Sequence, residues 1–202
     1  MRDDRKKWPP VQGDERAPFA GRGVQAQVIK LERQTVISGA LKDCLAICGL
    51  DAATGGAPII ATGDSYAIRQ RRDRIVVVGG RALADGWNDT HHVAVSDMTA
   101  AYSVISLSGP YAERIIATGT EFDSSLPSAS ASRLWHGFGI LLYQYERSDS
   151  YRIHVRTAHL ESLWEMLNRQ IIALSGLFDE HAAYDQLDMK EAGAAHECAV
   201  AE

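Results

Sequence analysis

The alternation of apolar and polar residues predicts a chain of strands and helices. Apolar residues alternate with polar ones from Val24 to Leu31, which is the period of a strand with one buried face. Two further runs, 65–71 and 74–78, predict a hairpin. Apolar residues spaced three and four apart predict helices over 38–50 and from Thr157 to Gly176. The longer helix has one continuous apolar face, so we expect it to cover a sheet.

The segment from Val93 to Ala117, VAVSDMTAAYSVISLSGPYAERIIA, predicts two strands, a sharp turn and a helix. The strands are expected over 92–95 and 102–107. Ser108 is the predicted cap of the helix, because its hydroxyl can accept a backbone N–H, and Pro110 falls in the first turn, where no N–H is needed. Such a helix start can hold an anion, but a compact connection between strand and helix is the more common arrangement.

The remaining segments complete an α+β pattern. Residues 81–87 predict a short helix, 134–146 a strand, 147–150 a turn and 151–155 the partner strand. This order of elements predicts two small lobes of antiparallel or mixed sheet, covered on one face by helices.

Composition along the chain suggests four parts. Residues 1–22 mix charge, proline and glycine with few aliphatic residues, and we expect an extended arm that is either disordered or ordered by a partner. The N-terminal lobe is expected over 23–90 and the C-terminal lobe over 91–178. Residues 179–202 are polar and alanine-rich, which predicts a flexible tail.

The overall composition excludes several classes of protein. The 202 residues are 46% hydrophobic and 23% charged, with a formal net charge of −5, which argues against nucleic acid as the main partner. The sequence shows no apolar run long enough to span a bilayer, and the charged N-terminus lacks the apolar region of a secretory signal. Three cysteines fit a reducing compartment, so we expect a cytoplasmic protein.

Cofactor motifs are incomplete in this sequence. The run from Val76 resembles a dinucleotide fingerprint, but the three glycine positions hold Gly79, Arg81 and Ala84, and an arginine at the second would block the approach of a pyrophosphate. Cys44 and Cys48 lie four residues apart on one helix face. They could serve redox or metal chemistry, but small buried apolar side chains are the favoured interpretation.

The histidines lack the spacing of metal ligands. His91 and His92 are adjacent in a predicted strand and point to opposite faces. His154 and His159 lie at a strand end and a helix start, positions that are common on surfaces. We therefore predict no metal-binding residue in this chain.

Two aspartates are the acidic candidates for a site. Asp97 and Asp123 both occur in turn-like sequences, where a carboxylate usually braces the turn. No pair of carboxylates has the spacing of a general acid and base. We therefore predict that the chain contains no catalytic and no cofactor-binding residue.

The candidate partner interface is the predicted hairpin tip. It contains Arg69, Arg71, Arg72 and Arg74, which form the most basic patch of an acidic protein. A solvated turn is the more common explanation of such a run, but arginine also suits bidentate pairing with an acidic partner. Trp8, beside two prolines, is the natural anchor if the N-terminal arm docks on a partner.

Several motifs resemble the gamma subunit of heterotetrameric sarcosine oxidase, which is similar to a shortened folate-binding T-protein. The family's V-D-x-S, L-S-G-P and F-x-L-Y-V-R motifs are matched by Val95–Asp97, Leu107–Pro110 and Tyr151–Arg156. Ser162–Glu165 resembles its Y-L-W-x-W-L. At Gly119–Asp123 the family has G-C-P-L-D, so the cysteine and proline are lost here, which suggests a divergent member.

The resemblance implies the aminomethyltransferase folate-binding fold and a role in a complex. Alpha, beta and delta subunits would be the partners. FAD, FMN, NAD and tetrahydrofolate would lie in the larger subunits and zinc with the small delta subunit, with no cofactor held by this chain. The complex would oxidise sarcosine or a related N-methyl amino acid and transfer the one-carbon unit to tetrahydrofolate.

Two other functions remain open at this point. The chain could be a stand-alone folate-binding protein of the T-protein type, in which Asp97 or Asp123 would hold the pterin. It could also be a plain scaffolding domain.

Overall fold

The structure is a computed structural model and describes residues 18–21 and 23–174. These residues form twelve strands, two α-helices with both ends described, and a helix that is followed to the last described residue. In chain order the elements are β1 Phe19–Gly21, β2 Val24–Ile29, β3 Gln34–Ser38, α1 Leu41–Cys48, β4 Ala53–Thr54, β5 Tyr66–Arg71, β6 Arg74–Val78, β7 Gly86–Asn88, β8 Val93–Asp97, β9 Tyr102–Ser108, α2 Ala112–Ala117, β10 Ser132–Trp135, β11 Phe138–Tyr145, β12 Arg147–Arg156 and α3 160–174.

The strands form two six-stranded sheets. Sheet I has the order β1-β2-β9-β12-β11-β10 and is antiparallel throughout. Sheet II has the order β4-β5-β6-β3-β8-β7 and is antiparallel except for the parallel pair β4 and β5. The predicted α+β class with antiparallel and mixed sheets is therefore confirmed.

The elements stack in four layers, because each sheet buries both of its faces. One core cluster packs α2 and α3 against sheet I, with Trp135, Ile153 and Leu167 among its members. A second packs α1 against sheet II. A third, which includes Ile68 and Leu141, lies between the two sheets. Each helix therefore covers the outer face of a sheet, and the inner faces of the sheets meet.

The two sheets exchange strands across the predicted division at residue 90. Strand β2 belongs to the first half of the chain but pairs with β9 of the second half, from Gln25–Ser108 to Ile29–Val104. Strand β8, from the second half, pairs with β3. Each sheet is therefore built from strands of both halves of the chain.

Two expectations for short segments are wrong. Residues 81–87 form no helix: the Arg81 side chain donates to the Ile47 carbonyl oxygen at the end of α1, at 2.7 Å, and Gly86 begins β7. Residues 147–150 are the start of β12 and not a turn, since the chain reverses at Glu146 alone, with φ 62°. Ser150 pairs with Ser108 in the ladder.

The predicted cap of α2 is also wrong. Ser108 is the last residue of β9, and the helix starts three residues beyond the expected position, at Ala112, without a side-chain cap. The turn between them is made by Gly109, whose φ of 118° lies in the region that only glycine adopts easily.

The predicted N-terminal arm overlaps the fold at its end. Phe19–Gly21 form β1, the edge strand of sheet I. Residues 1–17, with Trp8, and the predicted tail over 179–202 lie outside the described residues. Within the described part, no helix is long and apolar enough to cross a bilayer.

Candidate functional site

The arginine hairpin is formed as predicted, by β5 and β6. Arg71 and Arg72 are exposed at its tip, and Arg71 pairs with Arg74 across a register shift. Arg74 is held inward, because its Nε donates to Ser38 Oγ at 2.9 Å. Arg69 is also half-buried, and its Nε has no hydrogen-bond partner among the described residues. Two of the four predicted interface arginines are thus exposed to solvent.

A serine-rich connection attaches this hairpin to sheet I. The hydroxyls of Ser130 and Ser132 both donate to the Gln70 carbonyl oxygen, at 2.6 and 3.0 Å. The backbone N–H of Ala131 donates to the Arg69 carbonyl oxygen at 2.8 Å. Strand β10 therefore joins the end of β5 and closes one edge between the sheets.

The main feature that the sequence did not reveal is a polar network between the two sheets. His154 is fully buried, with 0% exposure, and was expected near the surface. Its Nδ1 lies 2.7 Å from Gln34 Oε1, and its Nε2 lies 2.7 Å from the Tyr143 hydroxyl. Tyr143 is in turn 2.9 Å from the Tyr66 hydroxyl. The network thus links β3 and β5 of sheet II to β11 and β12 of sheet I.

The direction of each hydrogen bond in this network is determined by one carbonyl group. Gln34 Nε2 donates to the Tyr102 carbonyl oxygen at 2.9 Å, so the Gln34 Oε1 atom must accept. His154 therefore carries its proton on Nδ1 and accepts at Nε2 from the Tyr143 hydroxyl. Tyr143 then accepts from Tyr66, and Tyr66 accepts from Arg152 Nη1. Each of the two tyrosine hydroxyls donates one hydrogen bond and accepts one, so the roles are consistent along the chain of bonds.

Burial keeps the interior groups of this network uncharged. Desolvation, with Arg152 as the second cause, lowers the pKa of His154 to about 3. Burial also raises the pKa of Tyr143 well above its ordinary value, and burial raises the pKa of Tyr66. At neutral pH the network is a set of neutral hydrogen bonds with one cation, Arg152, at its end.

Arg152 lies where the covered part of the inner face of sheet I ends. Its guanidinium carbon is 3.3 Å from the centre of the Tyr145 ring and 5.7 Å from that of Tyr66. On the same face, at the β2 end of the sheet, Gln25 and Gln27 are exposed, so sheet II does not cover them. A cavity of about 220 Å³ lies there and is lined by Pro18, Phe19, Ala20, Gln25, Ala26, Gln27, Ser106 and Ser108.

The two candidate aspartates brace turns. Asp97 Oδ1 accepts from the backbone N–H of Thr99 at 2.9 Å and from its hydroxyl at 2.6 Å. Asp123 Oδ1 accepts in the same way from Ser125, at 2.8 and 2.6 Å. These hydrogen bonds lower the pKa of both carboxyl groups, because they stabilise the charged form. The turn-bracing interpretation is confirmed for both residues.

The cysteines of α1 pack as small apolar side chains. Cys44 is fully buried in the cluster beneath α1, and Cys48 packs against that cluster. Burial raises the pKa of Cys44, and burial raises the pKa of Cys48 to about 11, so both thiols keep their protons at neutral pH. Within the described residues, no three His, Cys, Asp or Glu side chains come together as metal ligands would.

Comparison with solved structures identifies the fold. A chain of the heterotetrameric sarcosine oxidase from Corynebacterium sp. U-96, in complex with pyrrole 2-carboxylate, matches with a TM-score of 0.61 and 18% sequence identity. The match covers 78% of this chain and 88% of that chain. The chain has the fold of a sarcosine oxidase subunit. The resemblance expected from the sequence motifs is therefore confirmed at the level of fold.

The other comparisons add little to the sarcosine oxidase match. An aspartate kinase from Clostridium acetobutylicum matches with a TM-score of 0.37 and 12% identity, over 78% of this chain and 36% of the kinase chain. No protein-family model matches the sequence, and no curated protein is significantly similar to it.

Proposed function

We propose that this chain is a non-catalytic, gamma-type subunit of a multisubunit flavin-dependent sarcosine oxidase or of a related N-methyl amino acid oxidase or dehydrogenase. The observation that carries the proposal is the match to a chain of a heterotetrameric sarcosine oxidase, which extends over 78% of this chain and 88% of that one. Because the match extends over 88% of that chain, it concerns most of a subunit and not a small shared substructure.

The proposed complex oxidises an N–CH3 group to an imine and passes the one-carbon unit to tetrahydrofolate. Flavin in the partner subunits accepts the two electrons, and this chain supports the flavin- and folate-bearing subunits. The nicotinamide and zinc that the family resemblance implies also lie in the partners under this proposal. The contribution of this chain is then structural, through the surfaces it offers to them.

Two kinds of exposed side chain support a role in assembly. Arg71 and Arg72 present guanidinium groups at the hairpin tip, and arginine is common at protein interfaces. Large apolar side chains are also exposed, and Trp87 and Leu134 have 62% and 65% of their surface accessible. Burying such side chains against another subunit would be favourable.

The test is purification of the tagged full-length chain from its native cells, followed by an absorbance spectrum and a native mass. The proposal predicts a yellow assembly several times heavier than the chain, which oxidises an N-methyl amino acid. A colourless species at the mass of the chain itself would contradict it. In that case, tight binding of tetrahydrofolate by the isolated chain would identify the stand-alone folate-binding protein instead.

A further inference from the structure

The last described residues of the chain lie beside an edge of sheet I. Helix α3 is followed to Leu174, and the side-chain amide of Gln170, one turn earlier, hydrogen bonds to the His136 ring at 2.5 Å. His136 directly follows β10, which is an edge strand of its sheet. The chain therefore continues beyond Leu174 from a point close to one end of β10.

Strand β10 leads from this point to the arginine hairpin. At the far end of β10, the Ser132 hydroxyl donates to the Gln70 carbonyl oxygen at 3.0 Å, and Gln70 is followed by the exposed Arg71 and Arg72. The four residues of β10 extend about 13 Å at the rise of a strand, so the path from His136 to the hairpin tip is roughly 20 Å long.

The outer side of β10 is unpaired along this path. The Ala131 carbonyl oxygen accepts the Leu142 N–H at 2.8 Å. Because hydrogen-bonded and non-hydrogen-bonded pairs alternate in an antiparallel ladder, Arg133 and Trp135 also direct their backbone groups to β11. The backbone N–H and C=O of Leu134 therefore point away from β11, and its side chain has 65% of its surface accessible.

The acidic charge of the protein is concentrated in the segment that follows α3. Residues 175–202 contain seven acidic residues and one lysine, whereas the whole chain has a formal net charge of −5. The rest of the chain is therefore close to neutral. None of the described carboxylates forms a salt bridge with Arg71 or Arg72. One molecule thus carries an acidic segment and a basic tip that lacks a partner among the described residues.

We propose that the acidic segment Asp179–Asp188 binds the arginine hairpin of its own chain, after passing along the outer side of β10. This segment begins five and ends fourteen residues after Leu174, so it can reach at most roughly 17 to 48 Å from that residue, a range that includes the path along β10. Leu177 and Phe178, which precede the acidic residues, then cover the exposed Leu134.

The covalent connection makes weak ion pairs sufficient for this contact. An exposed pair of opposite charges contributes little by itself. A tethered segment, however, has an effective concentration on the order of millimolar at the surface it can reach, so even a weak contact is populated. An acidic partner that binds Arg71 and Arg72 has to displace the segment first. That consequence rests on the proposed function, whereas the contact itself does not.

The experiment places a nitroxide label at residue 187 of the isotope-labelled full chain, through Leu187→Cys together with Cys198→Ser. Paramagnetic broadening of the amide signals is then measured by NMR. We expect broadening at Gln70, Asp73 and Leu134 in about 0.01 M salt, and its loss in about 1 M salt, where the screening length is only about 3 Å. Broadening within one chain should not change on dilution.

Two controls accompany this measurement. The chain with Cys198→Ser alone, treated with the same reagent, reports any labelling at the cysteines of α1, whose thiols are packed in or against the cluster beneath that helix and keep their protons. The amide signals far from the hairpin report whether each variant is folded.

Charge reversal assigns the contact to the hairpin tip. Arg71→Glu with Arg72→Glu in the labelled chain should reduce the broadening at Gln70 and Asp73 by roughly fivefold or more, because attraction is replaced by repulsion. Lys30→Glu with Lys42→Glu is the matched control, since it makes the same change in net charge at exposed sites elsewhere and should leave the broadening in place.

The proposal fails if the labelled chain shows no broadening at the hairpin, or if both double variants reduce it equally, since the effect would then follow total charge. It also fails if the broadening falls on dilution, because the segment would then bind a second copy of the chain. Broadening that persists on dilution and is lost only with the two arginines would establish the contact.

Discussion

His154 sits between two sheets, where its uncharged form alone can keep both of its hydrogen bonds. Protonation would turn Nε2 into a donor facing the hydroxyl of Tyr143, whose own proton already points towards it. The Tyr143 hydroxyl would then have to turn its proton towards Tyr66, whose own proton already points at Tyr143. One of the two hydroxyls would therefore lose its hydrogen-bond acceptor. Burial, and after it the positive charge of Arg152, lowers the pKa of His154, and the surrounding hydrogen bonds are arranged to suit the neutral form.

This burial predicts a dependence of stability on pH. The pKa of His154 is about 3 in the folded chain against 6.5 for an ordinary histidine, so between these values the unfolded chain binds more protons. Stability is then fully present above about pH 6.5 and falls as the pH is lowered towards 3, by up to about 1.4 kcal/mol per pH unit. His154→Gln keeps a polar side chain that does not titrate, and should reduce this slope in urea unfolding between pH 7 and pH 4.

The control for this prediction is His159→Gln, which removes an exposed histidine. That variant should keep the slope of the unaltered chain, because the His159 side chain is exposed and lies outside the buried network. If His154→Gln and the unaltered chain show the same slope, the network does not hold the histidine neutral.

The sequence could not have revealed this network, because its members are far apart in the chain. Gln34 and His154 are separated by 120 residues, and each lies in a strand that also carries apolar residues on its other face. The alternation of side chains along β12 places His154 on one face of the sheet and Ile153 and Val155 on the other. It cannot show that a second sheet covers the face that carries His154. Asp97 and Asp123 were interpreted correctly because their partners, Thr99 and Ser125, are two residues away.

At the scale of elements, one glycine determines how β9 passes into α2. Gly109 has φ 118°, and a Cβ atom at that position would lie 2.3 Å from the Gly23 carbonyl oxygen. That oxygen accepts the Tyr111 N–H at 3.3 Å, just before α2 begins. The L-S-G-P sequence thus matters for its glycine, which permits the close approach of two backbone segments, and not for a serine cap.

Gly109→Ala should therefore destabilise the fold by about 2 kcal/mol or more, because backbone strain is added to a clash with backbone. Gly137→Ala is the matched control. Its φ is 87°, but a Cβ atom there would meet nothing within 4 Å, so only the strain applies. Urea unfolding of both variants measures the difference, and equal losses would show that the approach of Gly23 can relax at no cost.

The elements that have a clear periodic pattern of apolar residues could be predicted from the sequence. The short strands could not, because they form only through pairing with strands that are distant in the chain. The hairpin of β5 and β6 and the helix α3 follow directly from their periodicities. The strand expected over 134–146 is instead two strands, because His136 and Gly137 both have positive φ, 47° and 87°, and form a two-residue turn. The sequence analysis did not predict strand β3, which lies between β6 and β8 in sheet II and carries Gln34, a member of the network.

At the scale of the whole molecule, the chain crosses between the sheets twice near one end of the network. The connection from β2 to β3 leads from sheet I to sheet II, and that from β8 to β9 leads back. Thr99, in the second connection, accepts the Gln34 N–H at 2.9 Å, which ties the two crossings together. The sheets therefore share a hydrogen-bonded connection as well as an apolar layer.

The hairpin tip is an exposed end of two strands of sheet II, and its charges should strengthen assembly of the proposed complex. Arg71 and Arg72 are exposed, so replacing both by glutamate leaves the Arg74–Ser38 hydrogen bond intact. If the tip contacts an acidic partner, Arg71→Glu with Arg72→Glu should weaken association by about tenfold or more, and the complex should dissociate at lower salt. Native mass measured against salt concentration tests this.

Lys30→Glu with Lys42→Glu makes the same change in net charge at exposed sites elsewhere, and should leave the assembly intact. Equal dissociation of both double variants would exclude the tip as the contact, because the effect would then follow total charge alone.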